Sequence, residues 1–395
     1  MKTLWIGLFL IPVFLTGCAT LGILATATPA TEAPTTVIHT DIPTEVITAV
    51  PVTAKPSIHW IAFLGIDGNI QLINPDTSEH RAVTSNAAEY SADIPNKVVK
   101  YQFPAWSPDG RYLAFERGLG TPIWGGYENT YSLMVFDVAS GEIRTLLDDQ
   151  AIGWDWKPGT HRLAFAKAAD QNYFTAGRGV NSAYATGIWT VDADTGEITE
   201  LVKPETGYAL VNPQWSPDGR YVSFTERVSM DGRGPFAYYD FTTNTYWRWG
   251  VAIGTTAWLP DSSGILHDNL NYIPTLEERI FRVSLDRSDE TQISPDIQDG
   301  YGWHPLVSPD GSQAAYLQVK GGVFGQTTVV VQSLAGGKRY ELAVFDQLYD
   351  YAWAADSASL LVSTGKTSEI KVVQLYILDG RMRTLADGWQ AAMQP

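Results

Sequence analysis

The chain has 395 residues, room for two or three ordinary domains or for one long repeat fold. Its 27 Lys and Arg against 43 Asp and Glu leave a net charge of -16, which argues against nucleic acid and anionic lipid surfaces as partners. A single Cys excludes an intramolecular disulfide and any Cys-based zinc site, while 45% hydrophobic residues and 14 Trp allow a large packed core.

At the N-terminus, Met1-Lys2-Thr3 is a short positive region and Leu4 to Leu15 an apolar stretch too short to span a bilayer. Leu15-Thr16-Gly17-Cys18 resembles the lipobox L-[AST]-[GA]-C of bacterial lipoprotein signals at every position. That resemblance implies that residues 1–18 are a signal peptide with its lipobox and that Cys18 is acylated. The membrane is then a partner through the lipid on Cys18, and the body lies outside the cytoplasm, in the periplasm or at the cell surface. Residues 19–57 are rich in Thr, Ala, Val and Pro, with Pro29, Pro34, Pro43, Pro51 and Pro56 breaking helices and denying donors to strands. They read as a disordered linker, reaching roughly 35 Å as a coil and up to about 120 Å if extended.

From residue 58 to 395 the chain repeats itself. PAWSPDGRYLAF at 104–115, PQWSPDGRYVSF at 213–224 and VSPDGSQAAY at 307–316 are the clearest copies, with weaker ones starting at Trp156, Trp258 and Trp353. The anchors Trp106, Trp156, Trp215, Trp258, Val307 and Trp353 recur at about the period of a four-stranded propeller blade. Ser-Pro-Asp-Gly suits a type I turn between two strands, so Asp109, Asp218 and Asp310 read as turn formers. Hairpins such as GIWTVDADTGEITELV follow each block. Residues 58–85 supply three strands with no Trp strand before them, and GWQAAMQP at the end supplies a first strand with nothing after it. Pairing them would hide two sheet edges. The expected fold is therefore an all-β, seven-bladed β-propeller closed by its N- and C-terminal strands, with six or eight blades as alternatives.

The block W-S-P-D-G-[RK]-x-[LIV]-[AS]-[FY] resembles the TolB-type, WD-like propeller repeat, which also occurs in the propeller of prolyl oligopeptidases. The resemblance covers essentially everything after the linker. TolB's small preceding α/β domain has no counterpart here.

Catalytic signatures are sparse. There is no G-x-S-x-G elbow, no H-E-x-x-H, and Gly365-Lys366-Thr367 lacks the first Gly of a phosphate loop. The six His residues show no ligand spacing, so neither a metal nor a cofactor is expected. Aligning the inner strands on the anchors places Asn212, Thr255, His304, Asp350 and Gln390 at one repeat position, with Trp303, Tyr349 and Trp389 immediately before three of them. Polar groups beside aromatic plates at a channel mouth suit a peptide, a glycan or a partner protein. The reading is a membrane-tethered, non-catalytic binding or scaffolding module. Its rivals are an envelope lyase or hydrolase using His304 and Asp350, and a structural subunit of an envelope assembly.

Overall fold

The computed structural model describes residues 59–88, 98–123, 126–148, 151–167, 187–203, 209–227, 234–269, 278–296, 300–322, 325–367 and 369–395. The expected signal peptide with Cys18 and the expected linker lie outside them, as do residues 168–186.

All regular elements among the described residues are strands. The first three are β1 (Ile61–Gly65), β2 (Ile70–Ile73) and β3 (His80–Ala82). One four-stranded sheet comprises β4 (Val98–Trp106), β5 (Tyr112–Ile123), β6 (Gly126–Asp137) and β7 (Ile143–Leu147). The next holds β8 (Ala151–Trp156), β9 (Arg162–Lys167), β10 (Ile188–Asp192) and β11 (Ile198–Val202). A third holds β12 (Ala209–Trp215), β13 (Tyr221–Arg227), β14 (Pro235–Asp240) and β15 (Thr245–Ala252). The fourth holds β16 (Thr256–Trp258), β17 (Gly264–Asp268), β18 (Ile280–Ser284) and β19 (Glu290–Gln292). The fifth holds β20 (Gly300–Val307), β21 (Gln313–Lys320), β22 (Gln326–Ser333) and β23 (Arg339–Phe345). The chain ends with β24 (Leu348–Trp353), β25 (Ser359–Thr364), β26 (Lys371–Tyr376) and β27 (Met382–Met393).

The blade count corrects the expectation from sequence. Among the described residues five separate four-stranded blades are present, not seven and not the alternatives of six or eight. The other strands form one seven-stranded sheet in the order β24-β25-β26-β27-β1-β2-β3. The cause is β27, which runs unbroken for 12 residues. Its first half pairs with β26, from Leu375↔Met382 to Lys371↔Asp387, and its second half with β1, from Gly65↔Gly388 to Ile61↔Met393. The sequence assigns GWQAAMQP to a first strand of its own, and in the structure its residues 388–393 continue β27 without a break. Gln394 reinforces the joint, accepting from the Trp60 N–H at 3.0 Å and donating to the Gly110 carbonyl at 2.7 Å.

The Ser-Pro-Asp-Gly blocks fold as their turn chemistry dictates. In the first, the Gly110 N–H donates to the Ser107 carbonyl at 2.8 Å. Asp109 Oδ1 accepts from Ser107 Oγ at 2.8 Å and from the Arg111 N–H at 3.1 Å. Gly110, Gly219 and Gly311 have φ of 72°, 69° and 71°, a conformation other residues adopt only at a cost. The inner strands meet from sheet to sheet, β8 against β12, β16 against β20, β20 against β24 and β27 against β4. Trp106, Trp156, Trp215 and Trp258 are buried at these junctions. Three of their indole N–H groups donate across to the preceding repeat: Trp106 to the Ala392 carbonyl at 3.0 Å, Trp156 to Ala105 at 3.2 Å and Trp258 to Gln214 at 3.3 Å. Apolar packing and one directed bond thus act at the same place.

Candidate binding site at the inner strands

Three residues before each anchor, most inner strands bulge. Phe103, Gly153, Asn212, His304 and Gln390 all have left-handed backbone, with φ of 57°, 78°, 53°, 55° and 53°. The strand register slips there, between Gln102 and Ala105, Ala151 and Trp154, Val211 and Gln214, and Trp303 and Leu306. A bulge re-aims the side chains beside it, and a left-handed non-glycine residue costs on the order of 1 kcal/mol or more. Hydrogen bonds between repeats hold this conformation. The Phe103 N–H donates to Gln390 Oε1 at 2.9 Å, the Gln390 N–H to Asp350 Oδ2 at 2.8 Å, and the His304 N–H to Asp268 Oδ2 at 3.0 Å. Between the neighbouring inner strands β12 and β8, the Trp215 N–H donates to Asp155 Oδ2 at 2.7 Å.

Thr255 and Asp350 share the repeat position without the left-handed backbone. Thr255 Oγ1 donates to Asp268 Oδ2 at 2.5 Å, and Asp350 Oδ1 accepts from Ser363 Oγ at 2.6 Å.

Two cavities lie among these strands. The larger, of about 1000 Å³, is bounded by β4, β5, β6, β8, β12, β24 and β27, and takes in Asn212, Tyr349, Asp350, Trp389 and Gln390 of the expected site. The smaller, of about 380 Å³, takes in Asn212, Thr255 and His304. Asn212 borders both. Trp303 borders neither; it packs against the apolar cluster around Tyr351 and Leu317.

His304 and Asp350 are therefore not brought together as an acid–base pair across one cavity. The ring of Tyr351, which borders the larger cavity, packs edge-on against His304 at 5.4 Å. No group of three or more His, Cys, Asp and Glu side chains able to hold a metal ion occurs among the described residues.

The electrostatics are one-sided. No Lys or Arg is among the described lining residues of either cavity, whereas Glu116 and Asp350 border the larger one. Burial pushes the Glu116 carboxyl above the usual carboxylate range, opposed by a hydrogen bond from Gln102. Burial also raises Asp350, against the hydrogen bonds from Ser363 and the Gln390 amide. His304 is shifted down by burial, with Asp268 opposing. Shifts of these signs are what removal from bulk water produces.

Lining residues outside the expected set include Phe103, Trp154, Tyr131 and Glu116. Phe103 sits at the aligned position but was passed over as apolar, and Trp154 lies one residue beyond it in the next repeat. Their rings meet edge-on at 6.1 Å. Glu116 stands on β5, a second strand, and an alignment of first strands could not find it; its pairing with Gln102 was the available signal.

No protein-family model matches this chain, and no curated protein sequence does. Solved structures do. The chain matches a prolyl endopeptidase with 15% identity over 82% of this chain and 46% of that one, at a TM-score of 0.57. An oligogalacturonate lyase in complex with manganese matches with 13% identity over 85% of this chain and 86% of that one, at 0.59. The fold is a β-propeller. At these identities the likeness extends to fold alone. The chain spans about half the length of the endopeptidase. TolB from Acinetobacter baumannii shares 17% identity over 79% of this chain and 88% of that one, and its TM-score of 0.48 is too low to add to the argument.

Proposed function

We propose that this protein is a binding module of the cell envelope, a TolB-type propeller tethered through lipid on Cys18, that takes a peptide, a glycan or a segment of a partner protein at the mouth of its inner strands. One observation carries the reading. A cavity of about 1000 Å³ is bordered by inner strands from four sheets and joins aromatic surfaces (Phe103, Trp154, Tyr349, Trp389) to directed polar groups (Asn212, Asp350, Gln390). Cavities of this size with apolar walls and a few placed polar groups are the usual form of ligand sites. The lyase or hydrolase reading is not favoured, because its two candidate groups border different cavities.

The test is a screen of glycan and peptide arrays with the purified protein and with Trp389→Ala and Tyr349→Ala. Saturable binding, weakened in both variants without loss of fold, supports the reading. Binding indifferent to both variants places the site elsewhere and refutes it.

A further inference from the structure

Glu116 is an unusual residue to find at this cavity. It is only 5% exposed, and the amide of Gln102, which donates to its Oε1, is the hydrogen-bond partner its carboxylate has among the described residues. A carboxylate removed from water with one neutral partner is costly, and such groups are retained where something compensates them. Arg117 follows it in β5, but successive strand side chains point to opposite faces, and Arg117 donates instead to Ser132 Oγ at 3.4 Å. Asp350 adds a second negative charge to the same cavity, already satisfied by Ser363 and the Gln390 amide.

The walls match this charge. Phe103 is 50% exposed and Tyr349 43%, a poor place for large apolar rings unless a ligand covers them, and Trp154 and Trp389 border the same space. Aromatic faces carry negative potential and attract cations, more strongly once water is displaced. A neutral sugar or peptide group would satisfy the rings and leave Glu116 uncompensated. An anion would meet two carboxylates and no described cation.

We propose that the larger cavity recognises an ammonium group on an aliphatic arm, with Glu116 as its counter-ion and Phe103, Trp154, Tyr349 and Trp389 as its walls. The proposal rests on the mouth being a binding site and adds the chemistry of what is bound. A lysine side chain of a peptide and a free alkylamine present the same group, and the test separates them.

Three probes are titrated into the purified full-length protein by calorimetry: Nα-acetyl-lysine amide, its uncharged isostere Nα-acetyl-norleucine amide, and 1,4-diaminobutane. The lysine amide or the diamine should bind at least about tenfold more tightly than the norleucine amide, a charge-assisted contact's share of affinity. Preference between the two amines identifies a peptide-borne or a free ligand. Glu116→Gln, which keeps shape and the Gln102 contact, should weaken the amine by at least about tenfold with a melting midpoint no lower than the parent's.

Binding of the norleucine amide as tight as that of both amines by the unmodified protein would overturn the proposal, whatever the folding of the variant. So would amine binding unaffected by Glu116→Gln. If no amine binds while an uncharged array ligand binds and is lost in Trp389→Ala, the cation proposal fails and the mouth reading stands. If that binding survives Trp389→Ala, both fail.

Discussion

Truncating Trp215 to Ala tests how neighbouring repeats are held together. Trp215 is 6% exposed and packs in a cluster with Ala164 and Ala166 of β9 as well as Leu210, Val222 and Phe224 of its own sheet. Its ring stacks on Phe241 at 5.4 Å, and the Lys157 ammonium from the preceding repeat lies 4.8 Å from a ring centre. Removing a buried Trp forfeits roughly 150–250 Å² of contact, about 4 to 6 kcal/mol at 25 cal/mol/Å² as an upper bound. Measured truncations of this kind cost about 3 to 5 kcal/mol. Trp215 should fall at the low end, because its indole N–H is buried without a partner and its removal relieves that donor. Trp106→Ala should cost about 1 kcal/mol more, since it also strands the Ala392 carbonyl that its indole now serves. Reversible denaturant unfolding of the two variants measures both quantities. A loss below about 1 kcal/mol for Trp215→Ala, or the opposite ranking of the two, would refute the junction account.

Two further outcomes are expected. Burial pushes the Asp155 carboxyl up to about 6, against hydrogen bonds from the Trp215 and Trp156 amides. With the folded value above the unfolded one, the folded state binds more protons between them, so Asp155 makes stability fall as pH rises from about 4 to about 6. Asp155→Asn lacks that dependence and should gain about 2 to 3 kcal/mol relative to the parent over this interval; parallel stability curves from pH 4 to 7 would contradict it. Cys18→Ser should abolish acylation and move the protein from membrane to soluble fractions, and unchanged fractionation with unchanged mass would exclude the lipid anchor.

The sequence disclosed the parts of this fold whose chemistry is local. Ser107, Asp109 and Gly110 form their turn with no help from distant residues, which is why the block at 107–110 can be read and repeated at 216–219 and 308–311. The blade count failed at β27 because a missing turn leaves no positive signal. Residues 382–393 read as two strands, and only the unbroken run of β27, paired first with β26 and then with β1, shows them to be one. The bulge is equally hidden, since Phe103, Asn212, His304 and Gln390 adopt a left-handed backbone without being glycine, and Phe103, His304 and Gln390 are held there by bonds to other repeats. For the site, the structure sets Tyr349, Asp350, Trp389 and Gln390 around one cavity and packs Trp303 away from it, while Glu116 lies outside the repeat alignment, because that follows first strands and the cavity is also lined by second and third strands.

The most direct test of the central claim is fluorine NMR of the protein labelled with 5-fluorotryptophan, titrated with the strongest array ligand and with resonances assigned by Trp→Phe variants. The account predicts that Trp154 and Trp389, which border the larger cavity, shift on binding while the junction residues Trp106, Trp215 and Trp258 hold still. Shifts confined to the junction tryptophans, with Trp154 and Trp389 unmoved at saturation, would contradict a ligand site at the inner-strand mouth.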